Sequence, residues 1–93
     1  MIIVTKHARL RSKQRIGLAR KAVARQACKA MENGIRLETA SNSELRFLLK
    51  SVKGGNPEVT PVLYGTHVYV FKYHSNNHFL ITVLHQKLAD LFL

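Results

Sequence analysis

Residues 67–85 read HVYVFKYHSNNHFLITVLH. Two runs rich in β-branched and aromatic residues flank the turn-forming HSNN, a pattern that predicts a β-hairpin of strands 67–73 and 78–85. With HSNN as the loop, Tyr73 faces His78, Lys72 faces Phe79, Val70 faces Ile81 and Val68 faces Val83. Val68, Val70, Phe79, Ile81 and Val83 then line a core face. The opposite face collects His67, Tyr69, Phe71, Tyr73, His78, Leu80, Thr82 and Leu84.

Everything before the hairpin must cover its apolar face. IIVT at the N-terminus suits a short strand. Thr5 can cap a helix from Lys6 to Ile16 that Gly17 closes. A second helix is expected over residues 19–33, stopped by Gly34, with Ala19, Val23, Ala27, Ala30 and Met31 facing inward. Lys21, Arg25 and Lys29 fall on its opposite side, and Cys28 reads as a small packing residue near that side. SNSE at 41–44 has capping-box form, with Ser41 as cap and Glu44 reaching back. Leu45, Leu48, Leu49 and Val52 follow at helical spacing. The breaker-rich KGGNPEVTP at 53–61 reads as a loop, and VLYG at 62–65 as a short strand. The tail QKLADLFL has helical spacing, which suits a terminal helix or a homo-oligomer contact. The order predicts one α+β domain over 1–93: an N-terminal short strand and helices packed on one face of a mainly antiparallel C-terminal sheet.

Charge narrows the function. The 93 residues carry fifteen Lys and Arg against five Asp and Glu, a formal +10. The excess is local: residues 1–36 hold ten of the bases with Glu32 as the sole acid, whereas the rest is nearly balanced. Such a field favours an anionic partner: RNA, DNA or an acidic protein surface. No apolar run approaches the ~18 residues of a membrane span, and MIIVTKHAR has the form of neither a signal nor a transit peptide. The single Cys28 suits a reducing cytoplasm.

On a helical wheel, His7, Arg11, Gln14 and Arg15 share one sector of the first helix, while Arg9 and Lys13 lie across from it, toward solvent or phosphate. Arginines suit bidentate phosphate contacts, and histidine suits proton transfer near neutral pH. RNA cleavage through the 2′-hydroxyl needs a base, a cationic phosphate clamp and an acid, and no cofactor. In that reading Arg11 and Arg15 hold the scissile phosphate, and His7 with His67 or His78 supplies acid–base chemistry. Tyr69 and Tyr73 stack bases, and Lys21, Arg25 and Lys29 extend the phosphate track. The five histidines and one cysteine show no zinc-ligand spacing outside a predicted turn, so no metal is expected. P-loop, nucleophile-elbow and carboxylate-dyad patterns do not occur.

KHARLRSKQRIGLARKAVARQACKAMENGI, with VLYGTHVYVFKY and LITVL, resembles a family of small phage and prophage proteins of unassigned function that carry a His-Ala-x-x-Arg-x-x-x-Arg helix. The family is similar in layout to the RelE/BrnT-type toxins. The resemblance implies a RelE-like fold, puts His7, Arg11 and Arg15 on its recurrent positions, and implies a bacterial or phage-infected host cytoplasm. Ala19 departs from the Ser or Thr that usually caps the second helix there, and His85 departs from a turn residue. Three functions follow as expectations: an RNA-directed, toxin-like and metal-independent endoribonuclease, with an acidic antitoxin or a host effector as protein partner; a non-catalytic phage protein that binds nucleic acid or inhibits a host nucleic-acid-handling complex; or an oligomerising subunit joined through the tail.

Overall fold

The computed structural model describes residues 2–85. In chain order they form β1 (Ile2–Val4), α1 (Lys6–Ile16), α2 (Arg20–Asn33), a 3-10 turn (Leu37–Thr39), α3 (Ser43–Lys53), β2 (Val59–Tyr64), β3 (His67–His74) and β4 (Asn77–His85). The strands make one sheet in the order β1-β4-β3-β2. β1 runs parallel to β4, and the other two pairings are antiparallel. This is the α+β class that the element order predicts.

The helices take both faces of the sheet rather than one. Val23, Ala27 and Ala30 of α2 and Ala8 of α1 pack with Tyr69, Phe71, Leu80 and Val83. Leu48 and Leu49 of α3 pack with Val59, Val68 and Val70 on the reverse side. Val68 to Phe71 are consequently four consecutive buried residues, the mark of a strand covered on both faces.

The hairpin register changes midway. From Tyr73↔His78 to Phe71↔Leu80 it follows the predicted pairing, but a bulge between Val70 and Phe71 then pairs Val70 with Thr82, Tyr69 with Val83 and His67 with His85. Ile81 is the extra residue, and every β4 side chain beyond it changes face. Val83 and His85 thereby join the α1/α2 side, while Leu84 packs with the α3 cluster. The loop is also tighter than HSNN: Ser75 and Asn76 alone turn the chain, at φ 50° and 64°, and His74 pairs with Asn77.

Other boundaries shift for local reasons. Asn42, not Ser41, caps α3, its side chain accepting from Leu45 N at 2.8 Å. The third residue of that helix is then Leu45, which cannot reciprocate as Glu44 would in a box starting at Ser41. Ala19 is exposed and stands just before α2 with no side-chain cap bond. β2 begins at Val59, inside the predicted loop, and contains Pro61. Proline is tolerated because β2 is an edge strand. Its outer side is closed in turn: Lys53 Nζ donates to Val59 O (2.9 Å), and Leu63 exchanges hydrogen bonds with Ile35 (2.8 and 2.9 Å). These contacts block further strand pairing along that edge.

α1 is positioned by its ends rather than by an apolar stripe, since only Ala8 and Ser12 are buried. Thr5 N and Oγ1 both donate to Leu80 O (3.1 and 2.9 Å), and Thr5 Oγ1 accepts from Ala8 N (3.1 Å). Gly17 closes the helix in the left-handed region at φ 67°. Because β1 ends opposite Leu80, α1 takes over the edge of β4 from there, and Arg15 reaches Val83. Ser12 Oγ is buried without a hydrogen-bond partner among the described residues. Ser12→Ala is expected to raise stability by up to about 1 kcal/mol, since it removes an unpaired polar group from a helix interior. An increased denaturation midpoint with an unchanged m-value would show it. Met1, and the tail predicted as an oligomer contact, lie outside the described residues.

Candidate functional site

The C-terminal end of α1, the start of β3 and the end of β4 meet on the α1/α2 side of the sheet. Arg15 Nη1 donates to Val83 O at 2.7 Å, which pins the end of α1 onto β4. One turn earlier, Arg11 Nη1 donates to Gln14 Oε1 at 3.2 Å. Burial and the neighbouring Arg11 charge both lower the pKa of Arg15. Two guanidiniums held this close gain from a shared anion. Among the described residues the salt bridge is Lys72–Glu58, at 4.0 Å on the other side of the sheet. Among the described residues, therefore, no carboxylate forms a salt bridge with the arginines of this corner.

His67 lies beside the Arg15 main chain. Its ring stands edge-on to that of His85, with centroids 5.0 Å apart at 83°. Burial, then the His85 charge, push the His67 pKa below the ordinary value of 6.5, while the Arg15 main chain opposes the shift. His67 Nε2 is buried and, among the described residues, has no partner at strict hydrogen-bonding geometry, the Arg15 main chain being its polar neighbour, and Nδ1 lies 3.1 Å from Thr66 Oγ1 on the exposed side. Nδ1 is therefore the nitrogen a ligand can reach. Tyr64, opposite His67 in the β2–β3 register, closes the corner with its ring edge-on to Tyr69 at 6.4 Å.

The lowered pKa of His67 has a stability consequence. As pH falls below about 6.5, the unfolded chain takes up a proton before the folded one does. Stability accordingly declines from there through the lower folded pKa, and levels off beneath it. His67→Gln is expected to flatten this slope, which urea titrations between pH 4.5 and 7.5 would read.

The structure brings together three of the five predicted catalytic residues: Arg11, Arg15 and His67. It separates the other two. His7 is exposed at the opposite end of α1, eight residues or about 12 Å of helical rise from Arg15. His78 pairs with Tyr73 at the hairpin tip, their rings 4.9 Å apart, six residues or about 20 Å of strand from the His67 end. Shared sector and shared face were both insufficient, because each ignores distance along the element. Tyr69 cannot stack bases: it is 4% exposed, and burial beside Tyr64 raises its pKa. Tyr73 is exposed but at the far tip, where its hydroxyl donates to Asn76 Oδ1. Lys21, Arg25 and Lys29 are exposed along α2 as predicted, and Arg9 and Lys13 line a groove described below. His85 and Tyr64 join the site unforeseen. His85 depends on the bulge, whose one trace in the sequence is the spacing of the apolar pair Leu80 and Val83 by three instead of two.

Among the described residues no three His, Cys, Asp or Glu side chains converge into a metal-binding group. Nor is any described helix long and apolar enough to cross a membrane. In comparisons with known proteins, no family model and no curated protein matches the chain.

Proposed function

We propose that this protein acts on RNA as a metal-independent endoribonuclease, with Arg11, Arg15, His67 and His85 as its working groups. The observation that carries the reading is the His67–His85 ring pair at the end of α1 that holds Arg11 and Arg15, two arginines without a salt-bridge partner among the described residues. A histidine kept neutral near pH 7 can accept a proton, and a second imidazole can return one. In this mechanism His67 Nδ1 takes the proton of a ribose 2′-hydroxyl, whose oxygen attacks the adjacent phosphorus. Arg11 and Arg15 stabilise the phosphorane oxygens. The bond to the 5′-oxygen breaks, and His85 delivers a proton to that leaving oxygen. The products are a 2′,3′-cyclic phosphate and a 5′-hydroxyl. Lys21, Arg25 and Lys29 supply a longer phosphate-binding surface. This chemistry fits the toxin-like resemblance of the HARLR motif, and an acidic protein partner fits the same charge.

One contact favours a second reading, binding without cleavage: the Arg15–Val83 hydrogen bond occupies one of the five guanidinium donors. The two separate in one experiment. Purified protein incubated with RNA in EDTA is expected to yield cyclic-phosphate ends. Salt-sensitive RNA binding with no new ends from any substrate, ribosome-bound message included, would leave the binding reading and remove the nuclease.

A further inference from the structure

Opposite the Arg11–Arg15 flank, α1 carries a second basic flank of different character. Lys6, Arg9, Leu10, Lys13, Leu18 and Ala19 line a groove of about 540 Å³ between α1 and the start of α2. Leu10 is 53% exposed there. Arg9 Nε is buried without a hydrogen-bond acceptor among the described residues, an expensive condition for a charged donor.

We propose that this groove docks an acidic amphipathic peptide segment of a partner protein. Lys6 and Lys13 are seven residues apart, about 10.5 Å of helical rise, with Arg9 between them. A single anionic head group would satisfy one of these cations, whereas carboxylates repeated along a peptide satisfy all three. The aliphatic floor selects further. Leu10, Leu18 and Ala19 offer no ring on which a nucleobase could stack, but they suit Leu or Val side chains presented on one face of a helix. A carboxylate beside the Arg9 guanidinium would also offset the charge whose Nε is buried without an acceptor among the described residues. The proposal is independent of the RNA reading, because it uses no residue of the Arg11–Arg15–His67–His85 corner.

The test is fluorescence anisotropy with two labelled synthetic peptides of equal length and charge. One alternates Glu and Leu at helical spacing; the other places Glu among Ser. The amphipathic peptide is expected to bind at least tenfold more tightly. Arg9→Gln and Leu10→Asn should each weaken it about tenfold while the protein stays folded, and the exposed Lys50→Gln on α3 should leave it unchanged. Equal affinity for the two peptides would overturn the proposal, as would indifference to Leu10→Asn. So would a single-stranded oligonucleotide whose binding is the one that Arg9→Gln and Leu10→Asn weaken. Self-association of the protein that the same two substitutions abolish would assign the groove to a second copy instead, and overturn it too.

Discussion

His67→Ala is expected to slow RNA cleavage by about 100-fold or more, the usual contribution of a positioned general base, while the protein stays folded. His67 is half-buried at the start of β3 and lies outside both core clusters, so its loss removes a proton acceptor and no core contact. The acid limb of the wild-type pH–rate profile should have its midpoint below 6.5, because burial and the His85 charge disfavour the protonated ring. His85→Ala should weaken that displacement, as well as removing the acid. His7→Ala, by contrast, alters an exposed residue about 12 Å of helical rise from Arg15, and cleavage should stay within a few-fold of wild type. Rates with a defined oligonucleotide, measured from pH 5 to 8, check all three.

Gly34→Ala is expected to destabilise the fold by about 3 kcal/mol, the upper end for forcing a side chain into a filled space. For a chain of this size that lowers Tm by more than about 10 °C. Gly34 is not a left-handed helix stop; its φ is −73°. It is needed because the chain leaving α2 passes against β2. A Cβ there would collide with the Val62 side chain, lie 2.5 Å from Ala30 O and 3.0 Å from Leu63 O. Relieving the clash would also pull Ile35 away from the two hydrogen bonds it shares with Leu63. Val62→Ala in the same chain should recover part of the loss and no more, since the two carbonyl contacts remain. A double-mutant cycle by thermal melting reads that coupling.

The same glycine illustrates what is legible in this sequence. Gly34 marks the end of α2 through the general preference for glycine after a helix, yet the reason it is required is tertiary. Thr5 and Gly17 fix both ends of α1 correctly because caps act within four residues of chain. Leu45, Leu48, Leu49 and Val52 identify the buried side of α3 for the same local reason. The sheet is harder to read. The alternating pattern of 67–73 tells which residues share a face but not that α3 covers one face and α1 with α2 the other. The four successive buried residues of β3 were the available sign. The bulge at Ile81 leaves only the Leu80–Val83 spacing as a trace in the sequence, and it alone moves His85 beside His67. Arg11 and Arg15 thus come from helix periodicity and His67 from strand alternation, whereas His85 alone comes from a register irregularity. The basic surface was legible from composition, whereas its division into a guanidinium–imidazole corner and an aliphatic groove required the position of α1 on the edge of β4.

Binding of a 2′-O-methyl RNA oligonucleotide, which cannot be cleaved through its 2′-oxygen, followed by backbone and histidine side-chain NMR, tests the central claim most directly. The account predicts the largest shift changes at Arg11, Arg15, Thr66, His67 and His85, with smaller ones along Lys21, Arg25 and Lys29. Changes centred on α3 around Phe47 and Lys50, with the His67–His85 pair unmoved, would contradict it.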